Sequence, residues 1–241
     1  MQWPDDVLER ELVGDGLLVA GIDEVGRGAW AGPASVGVAL FRTDRPPPEG
    51  ICDSKALAED EREEIFPRVA EWCLEWSVGH ADPEECDRFG MTVALRLAAR
   101  RALAGLSTIP DAILLDGAFD YVTEPDEDGN RPIDARPAVR TVVRGDAACV
   151  SISAASIVAK VTRDRMMRSL SPSFPAFDFD RNKGYPTRVH KLALAGFGLT
   201  SIHRRSWAFV DGTAWRFAER PSGGGLRPDS APSEDRAPAR R

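Results

Sequence analysis

Leu17-Leu18-Val19-Ala20-Gly21-Ile22-Asp23-Glu24 is a short apolar run that ends in two acids, and Ala34-Ser35-Val36-Gly37-Val38-Ala39-Leu40-Phe41 is a second apolar run. Between them lie Gly26-Arg27-Gly28 and Gly32-Pro33. Short apolar runs bounded by turn formers predict strands, so the stretch reads as an N-terminal hairpin with a glycine-punctuated turn. Adjacent acids on a regular strand point to opposite faces. Bringing Asp23 and Glu24 onto one site therefore calls for a bend or bulge, which Gly26 and Gly28 permit. Taken alone, the same residues also read as a charged turn.

Working outward, Ala58 to Trp76 carries Ile65, Val69 and Trp72 at helical spacing and predicts a helix with Pro67 as a candidate break. Ser77-Val78-Gly79 is a brief strand candidate, and a long helix is expected from Asp82 through Leu103. Ala112-Ile113-Leu114-Leu115, between Pro110 and Gly117, predicts a buried strand that presents Asp116 at its end. Residues 120–137 are acidic and rich in turn formers, which predicts an exposed excursion before a strand at Val139 to Val143. Ser151 to Arg168 reads as a helix, and Val189 to Ala195 as another after a Gly-Tyr-Pro-Thr turn. A hairpin followed by alternating helices and strands implies an α/β fold with a mixed sheet. The expected organisation is an extension at 1–16, one domain at 17–215 whose helices after about residue 165 form a small cap, and a disordered tail at 216–241.

Composition narrows the function classes. No apolar run reaches the roughly 18 residues of a membrane span, and the acidic N-terminus does not resemble a signal peptide. A cytoplasmic, monomeric protein with no membrane partner is expected. Cys52, Cys73, Cys86 and Cys149 show no zinc spacing and read as free thiols. The net charge is −7, but it is unevenly distributed. Residues 1–139 hold 13 basic and 29 acidic side chains, residues 140–220 hold 14 and 6, and residues 221–241 hold 4 and 3, so −16, +8 and +1 sum to −7. A basic third on an acidic chain fits one phosphate-facing surface, or a solvated face without a partner.

The chemistry-bearing candidates are acids. Asp116 closes the best buried strand, where α/β sheets place ligands, although Asp-Gly is also an ordinary turn. Asp164 lies four residues after Lys160 on one helical face, which by itself could be a surface ion pair. Only His80, His190 and His203 are present, with no Gly-x-Ser-x-Gly elbow and no Walker-type loop. Asp23, Glu24, Asp116 and Asp164 without a histidine system suit hard cations such as Mg²⁺ or Mn²⁺. The chemistry such sites favour is phosphodiester hydrolysis, with two ions about 3.5–4 Å apart.

Gly21-Ile22-Asp23-Glu24-Val25-Gly26-Arg27-Gly28, with Ala31-Gly32-Pro33 behind it, resembles the signature of bacterial ribonuclease HII. Asp53-Ser54-Lys55, Leu114-Leu115-Asp116-Gly117 and Val143-Arg144-Gly145-Asp146 resemble further motifs of that family in order. So do Ser153 through Asp164, Lys183-Gly184-Tyr185-Pro186-Thr187 with His190, and Ile202-His203-Arg204-Arg205-Ser206. The resemblance runs from about residue 17 to 210. It implies a ribonuclease H-like fold and cleavage of RNA strands in RNA–DNA hybrids and of ribonucleotides embedded in duplex DNA, leaving 3′-hydroxyl and 5′-phosphate ends. Asp23, Glu24, Asp116 and Asp164 would hold two Mg²⁺ or Mn²⁺ ions, with Asp23 bridging them. Gly26, Arg27 and Gly28 would read the ribose 2′-hydroxyl, and Tyr185 would stack on the following sugar. Ser54 and Lys55 would lie near phosphates. The basic side chains of Arg144, Lys160, Arg163, Lys183, Arg204 and Arg205 would hold the backbone in register.

Ser153 to Val158 is expected to serve packing, His190 and His203 structure or phosphate contact, and Trp72 and Trp76 the core. Ala29-Trp30 and Arg144 depart from the usual pattern, which leaves the path after Gly28 and the geometry of the Arg144 contact open. The related ribonuclease HIII carries an extra N-terminal domain for which 16 residues leave no room. A hybrid-binding module without catalysis would gain nothing from four acids. A recombinase or exonuclease of the same broad fold would have no use for the Gly-Arg-Gly and Gly-Tyr-Pro-Thr elements.

Overall fold

The computed structural model of the protein describes residues 3–14, 16–42, 44–52, 54, 57–123 and 137–212. Asp53, Lys55, most of the acidic excursion and the 216–241 tail lie outside the described residues. The expected hairpin forms as β1 (Val19–Val25) paired antiparallel with β2 (Ala34–Leu40). Outside β2 lies β3 (Trp76–Ala81), while β4 (Ala112–Asp116) and β5 (Ala138–Val142) add in parallel beyond β1. The sheet order β3-β2-β1-β4-β5 puts β1 at the centre. Strands covered on both faces read as continuous apolar runs, which is why β1, β2 and β4 were legible.

Two apolar layers sandwich this sheet. On one face α5 (Val150–Leu170) and α2 (Glu59–Trp72) cover Val19, Ala39 and Leu114. On the other, α4 (Met91–Ala104) lays Ala94, Leu95 and Ala98 against Ile22, Val38 and Leu115. A Cβ at Gly21 would fall 2.1 Å from the Ser151 carbonyl carbon, so the helix backbone rests directly on β1. All of Ser153 to Val158 is buried, although Ser156 also lines the cleft described below. The four cysteines are buried free thiols and Trp72 is buried in the α5-side core.

Several boundaries differ from expectation. The long helix at 82–103 is two helices, α3 (Pro83–Phe89) and α4, broken at Gly90, whose φ is 76°. The helix at 58–76 runs through Pro67 but stops at Trp72. Backbone pairing with β2 then takes over, through Leu74 N–H to Leu40 O and Leu40 N–H to Glu75 O. The extension at 1–16 contains a docked helix, α1 (Val7–Gly14). The buried Glu9 carboxylate accepts from both the N–H and the hydroxyl of Ser151 at 2.8 and 2.7 Å, capping the first turn of α5.

A third apolar cluster joins Met167, Phe177, Phe179 and Leu194 to Ala31. It includes α6 (Phe179–Asn182) and α7 (Arg188–Phe197). Trp30, one of the two unusual residues after Gly28, stacks on Phe209 at 4.1 Å and 6° and so ties the hairpin loop to this cap. Among the described residues no helix is long and apolar enough to cross a membrane.

Candidate active site

The parallel register of β1 with β4 ends at Ile22 opposite Leu115. The next residue on each strand is an acid, so Asp23 and Asp116 emerge side by side at the carboxyl ends of neighbouring parallel strands. No bend precedes the acids. The ladder to β2 stays regular through Asp23–Gly37, Glu24–Val36 and Val25–Ser35, and the chain turns only at Gly26, where φ is 82°. Convergence arises because β4 stops pairing first, which leaves that edge of β1 open.

One cleft of about 210 Å³ gathers Asp23, Glu24 and Asp116 from the sheet, Gly26, Arg27 and Gly28 from the loop, Ser54 and Lys160, and Tyr185 from the cap. It is smaller than the roughly 300–1,000 Å³ of small-molecule pockets. Asp116 Oδ1 accepts from the Gly145 N–H at 2.7 Å, and Asp23 Oδ1 from the Glu24 N–H at 2.8 Å.

The electrostatics show the acids acting together. Burial pushes the Glu24 carboxyl above its ordinary value, Arg27 opposes the shift from 3.5 Å, and the charge of Asp116 adds to it. Tyr121 is buried behind them, and its phenol is pushed well above its usual range by burial and then by Glu24, Asp23 and Asp116. Three carboxylates share the cleft with Arg27 and with Lys160, whose ammonium is already paired with Asp164, so the site is an oxygen-donor one short of positive charge, which suits a hard divalent cation. Among the described residues no three His, Cys, Asp or Glu side chains are placed so that together they could hold a metal ion as they stand.

Asp164 sits differently. It is not part of the cleft lining, and its two oxygens each accept from Lys160 Nζ at 2.7 Å, with Arg62 at 3.9 Å. Asp146, which like Asp164 is not part of the cleft lining, is buried in the turn Gly145–Ala147, and its backbone N–H lies 3.4 Å from Asp116 Oδ1. Its signal was present in Arg144-Gly145-Asp146, but an acid in a turn after a strand carries no periodicity to mark it.

Three of the expected phosphate contacts take internal roles instead. Arg163 and Arg204 are fully buried and donate to backbone carbonyls, while Lys183 donates to Glu59 at 2.9 Å. A buried cation needs partners at once, and the carbonyls of irregular loops supply them. Arg27 is exposed and lines the cleft, Arg144 is exposed, Arg205 is half-buried, and Ser54 reaches the cleft while bonding Ser156 at 2.7 Å. Lys55 lies outside the described residues.

The two cap histidines form a directed chain. His190 Nδ1 faces the Tyr185 carbonyl at 2.9 Å and must donate, so its Nε2 accepts from His203 Nε2 at 2.9 Å. His203 Nδ1 in turn accepts from the Thr200 N–H at 2.9 Å. Both rings are buried, as a structural role requires.

The family model described as Ribonuclease HII matches residues 20–210. A Ribonuclease HII from Streptomyces avermitilis is 46% identical over 220 residues, covering 90% of this chain and 89% of the relative. Another from Paracoccus denitrificans is 42% identical over 87% of this chain and 94% of its own. The crystal structure of ribonuclease H2 from Pyrococcus horikoshii superposes with a TM-score of 0.64 at 27% identity, covering 81% of this chain and 96% of that one.

Proposed function

This chain belongs to the ribonuclease HII family and is a nuclease of the hydrolase class, and on that premise we propose that it cleaves the RNA strand of RNA–DNA hybrids and ribonucleotides embedded in duplex DNA. The carrying observation is one cleft in which three acids face the Gly26–Gly28 loop and Tyr185. Acids on one wall and close-approach backbone on the other suit a substrate read at its sugar and cut at its phosphate.

In this reading Asp23, Glu24 and Asp116 would hold Mg²⁺ or Mn²⁺, and Asp146 would take the fourth place expected for Asp164. A bound pair of such ions would activate a water and stabilise the leaving oxygen. Water adds to phosphorus and the P–O3′ bond breaks, leaving a 3′-hydroxyl and a 5′-phosphate. The remaining work is positional. Backbone groups of Gly26, Arg27 and Gly28 meet the 2′-hydroxyl, and the Tyr185 ring stacks on the next sugar. Ser54, Lys55, Arg144 and Arg205 steady the phosphates.

The test uses two end-labelled duplexes, a uniform RNA–DNA hybrid and a DNA duplex with one ribonucleotide, each with Mg²⁺ or Mn²⁺. Both should be cut, and Asp23→Asn should abolish cutting while duplex binding survives. Undiminished turnover by Asp23→Asn, or an intact protein that cuts neither duplex, refutes the reading.

A further inference from the structure

Arg163 and Arg204 are both fully buried, and the hydrogen bonds of both guanidinium groups run to backbone carbonyls rather than to the cleft. Arg204 donates to Gly26 O at 2.6 Å, to Arg27 O at 2.8 Å and to Gly32 O at 3.2 Å. Arg163 donates to Pro33 O at 2.9 Å, Ala31 O at 3.2 Å and Lys183 O at 2.9 Å, and its guanidinium lies 5.7 Å from the centre of the Tyr185 ring. Two buried cations thus tie the hairpin loop, the cap loop and α5 together. Well-packed apolar residues often hold such positions at equal or greater stability, so stability alone does not explain two buried arginines.

Peptide planarity supplies the consequence. In a trans peptide the C=O of one residue and the N–H of the next point in opposite directions. Holding the carbonyls of Gly26 and Arg27 inward on Arg204 therefore turns the N–H groups of Arg27 and Gly28 outward. Both residues line the cleft. A Cβ built on Gly28 would meet only the Tyr185 ring, 3.9 Å away, so the loop backbone and that ring face each other across the gap.

We propose that Arg204 and Arg163 are positioning residues for sugar recognition. Arg204 aims the Arg27 and Gly28 amides at the 2′-hydroxyl, and Arg163 holds the Tyr185 ring and Lys183 carbonyl in register with them. The inference rests on the reading of this cleft as a ribonucleotide site. Lysine can replace the charge of Arg204 but not its fork, so Arg204→Lys separates geometry from charge.

The experiment compares wild type and Arg204→Lys on a DNA duplex carrying one ribonucleotide, with rates normalised to folded protein and affinity for the all-DNA duplex measured in parallel. Misaimed amides weaken ground state and transition state alike, so KM should rise about tenfold with kcat held within about twofold. Affinity for all-DNA duplex should not change. A purely structural role would lower Tm and the active fraction but leave KM alone, and that result overturns the proposal.

Asp87 provides a milder second variant. Its carboxylate accepts from the N–H groups of Arg205 and Ser206 at 2.7 and 2.9 Å and so anchors the segment that carries Arg204. Asp87→Ala should raise KM in the same direction by a smaller factor. If Arg204→Lys does not fold, an unchanged KM in Asp87→Ala overturns the proposal. Failure of the underlying reading looks different, because wild type would then not cut the single-ribonucleotide duplex at all.

Discussion

Lys160 Nζ lies 2.7 Å from each carboxylate oxygen of Asp164, one turn along the same helix. Lys160 lines the cleft, and neither Asp164 nor Asp146 does. Burial pushes the Lys160 ammonium below its ordinary range, and the paired Asp164 carboxylate opposes the shift. The expected fourth acid is thus committed to its lysine, whereas Asp146 sits in the turn that donates to Asp116.

Exchanging these two acids should therefore give unequal losses. Asp146→Asn should lower kcat on a single-ribonucleotide duplex by roughly a hundredfold or more, as removal of a metal ligand does. Asp164→Asn should cost about tenfold or less, through a looser Lys160. The reverse ranking would restore Asp164 to the site.

Divalent ions should stabilise the protein in proportion to occupancy of the cleft. At about 100 times the dissociation constant the gain is roughly 2.7 kcal/mol, visible as a rise in Tm. Asp23→Asn and Asp116→Asn should each remove most of that rise while folding normally without metal. A full rise in both variants would place the ion elsewhere.

Gly26 and Gly28, two residues apart, respond oppositely to gaining a methyl. At Gly28 the added carbon meets only Tyr185 at 3.9 Å, so Gly28→Ala should fold with stability within about 0.5 kcal/mol of wild type yet raise KM by narrowing the cleft. At Gly26, where φ is 82° and the added carbon would lie 2.2 Å from Arg163 Nε, the same change should cost about 1–3 kcal/mol. Urea unfolding and steady-state kinetics on both variants decide the matter, and equal stabilities would contradict the packing described.

Removing the Tyr185 ring should affect one substrate more than the other. Tyr185→Ala is expected to weaken preference for the RNA–DNA junction more than cleavage of uniform hybrids. Parallel rates on both duplexes measure this, and equal losses would remove the stacking role.

Acid should loosen the cap through its histidines. Burial, then His190 and Arg205, lower His203 from 6.5 to about 3. A group depressed in the folded state contributes fully above its unfolded value and loses that contribution as pH falls toward the folded value. The stability difference between wild type and His203→Gln should accordingly shrink as pH drops from about 7 toward 4. A constant difference across that range would show that the ring does not stay neutral.

Much of this was readable along the chain because it depended on local pattern. Val19–Ile22, Val36–Leu40 and Ala112–Leu115 are buried on both faces, so their apolar runs announced strands without tertiary information. The break at Gly90 was missed because one glycine within a helical pattern is usually tolerated. Helix α1 was missed because its docking depends on Glu9 meeting Ser151, 142 residues away.

Sequence by itself determined the central hairpin, the oxygen-donor chemistry of Asp23, Glu24 and Asp116, and the family, since each rests on residue type and order. Tertiary structure alone decided which charges face the cleft. A basic residue reads the same in sequence whether it reaches solvent or lies buried, but a buried guanidinium must satisfy its donors on whatever carbonyls surround it. Only the fold showed that Arg163 and Arg204 grip the Gly26–Pro33 loop, that Lys160 holds Asp164, and that the early end of β4 pairing opens the space where the acids meet.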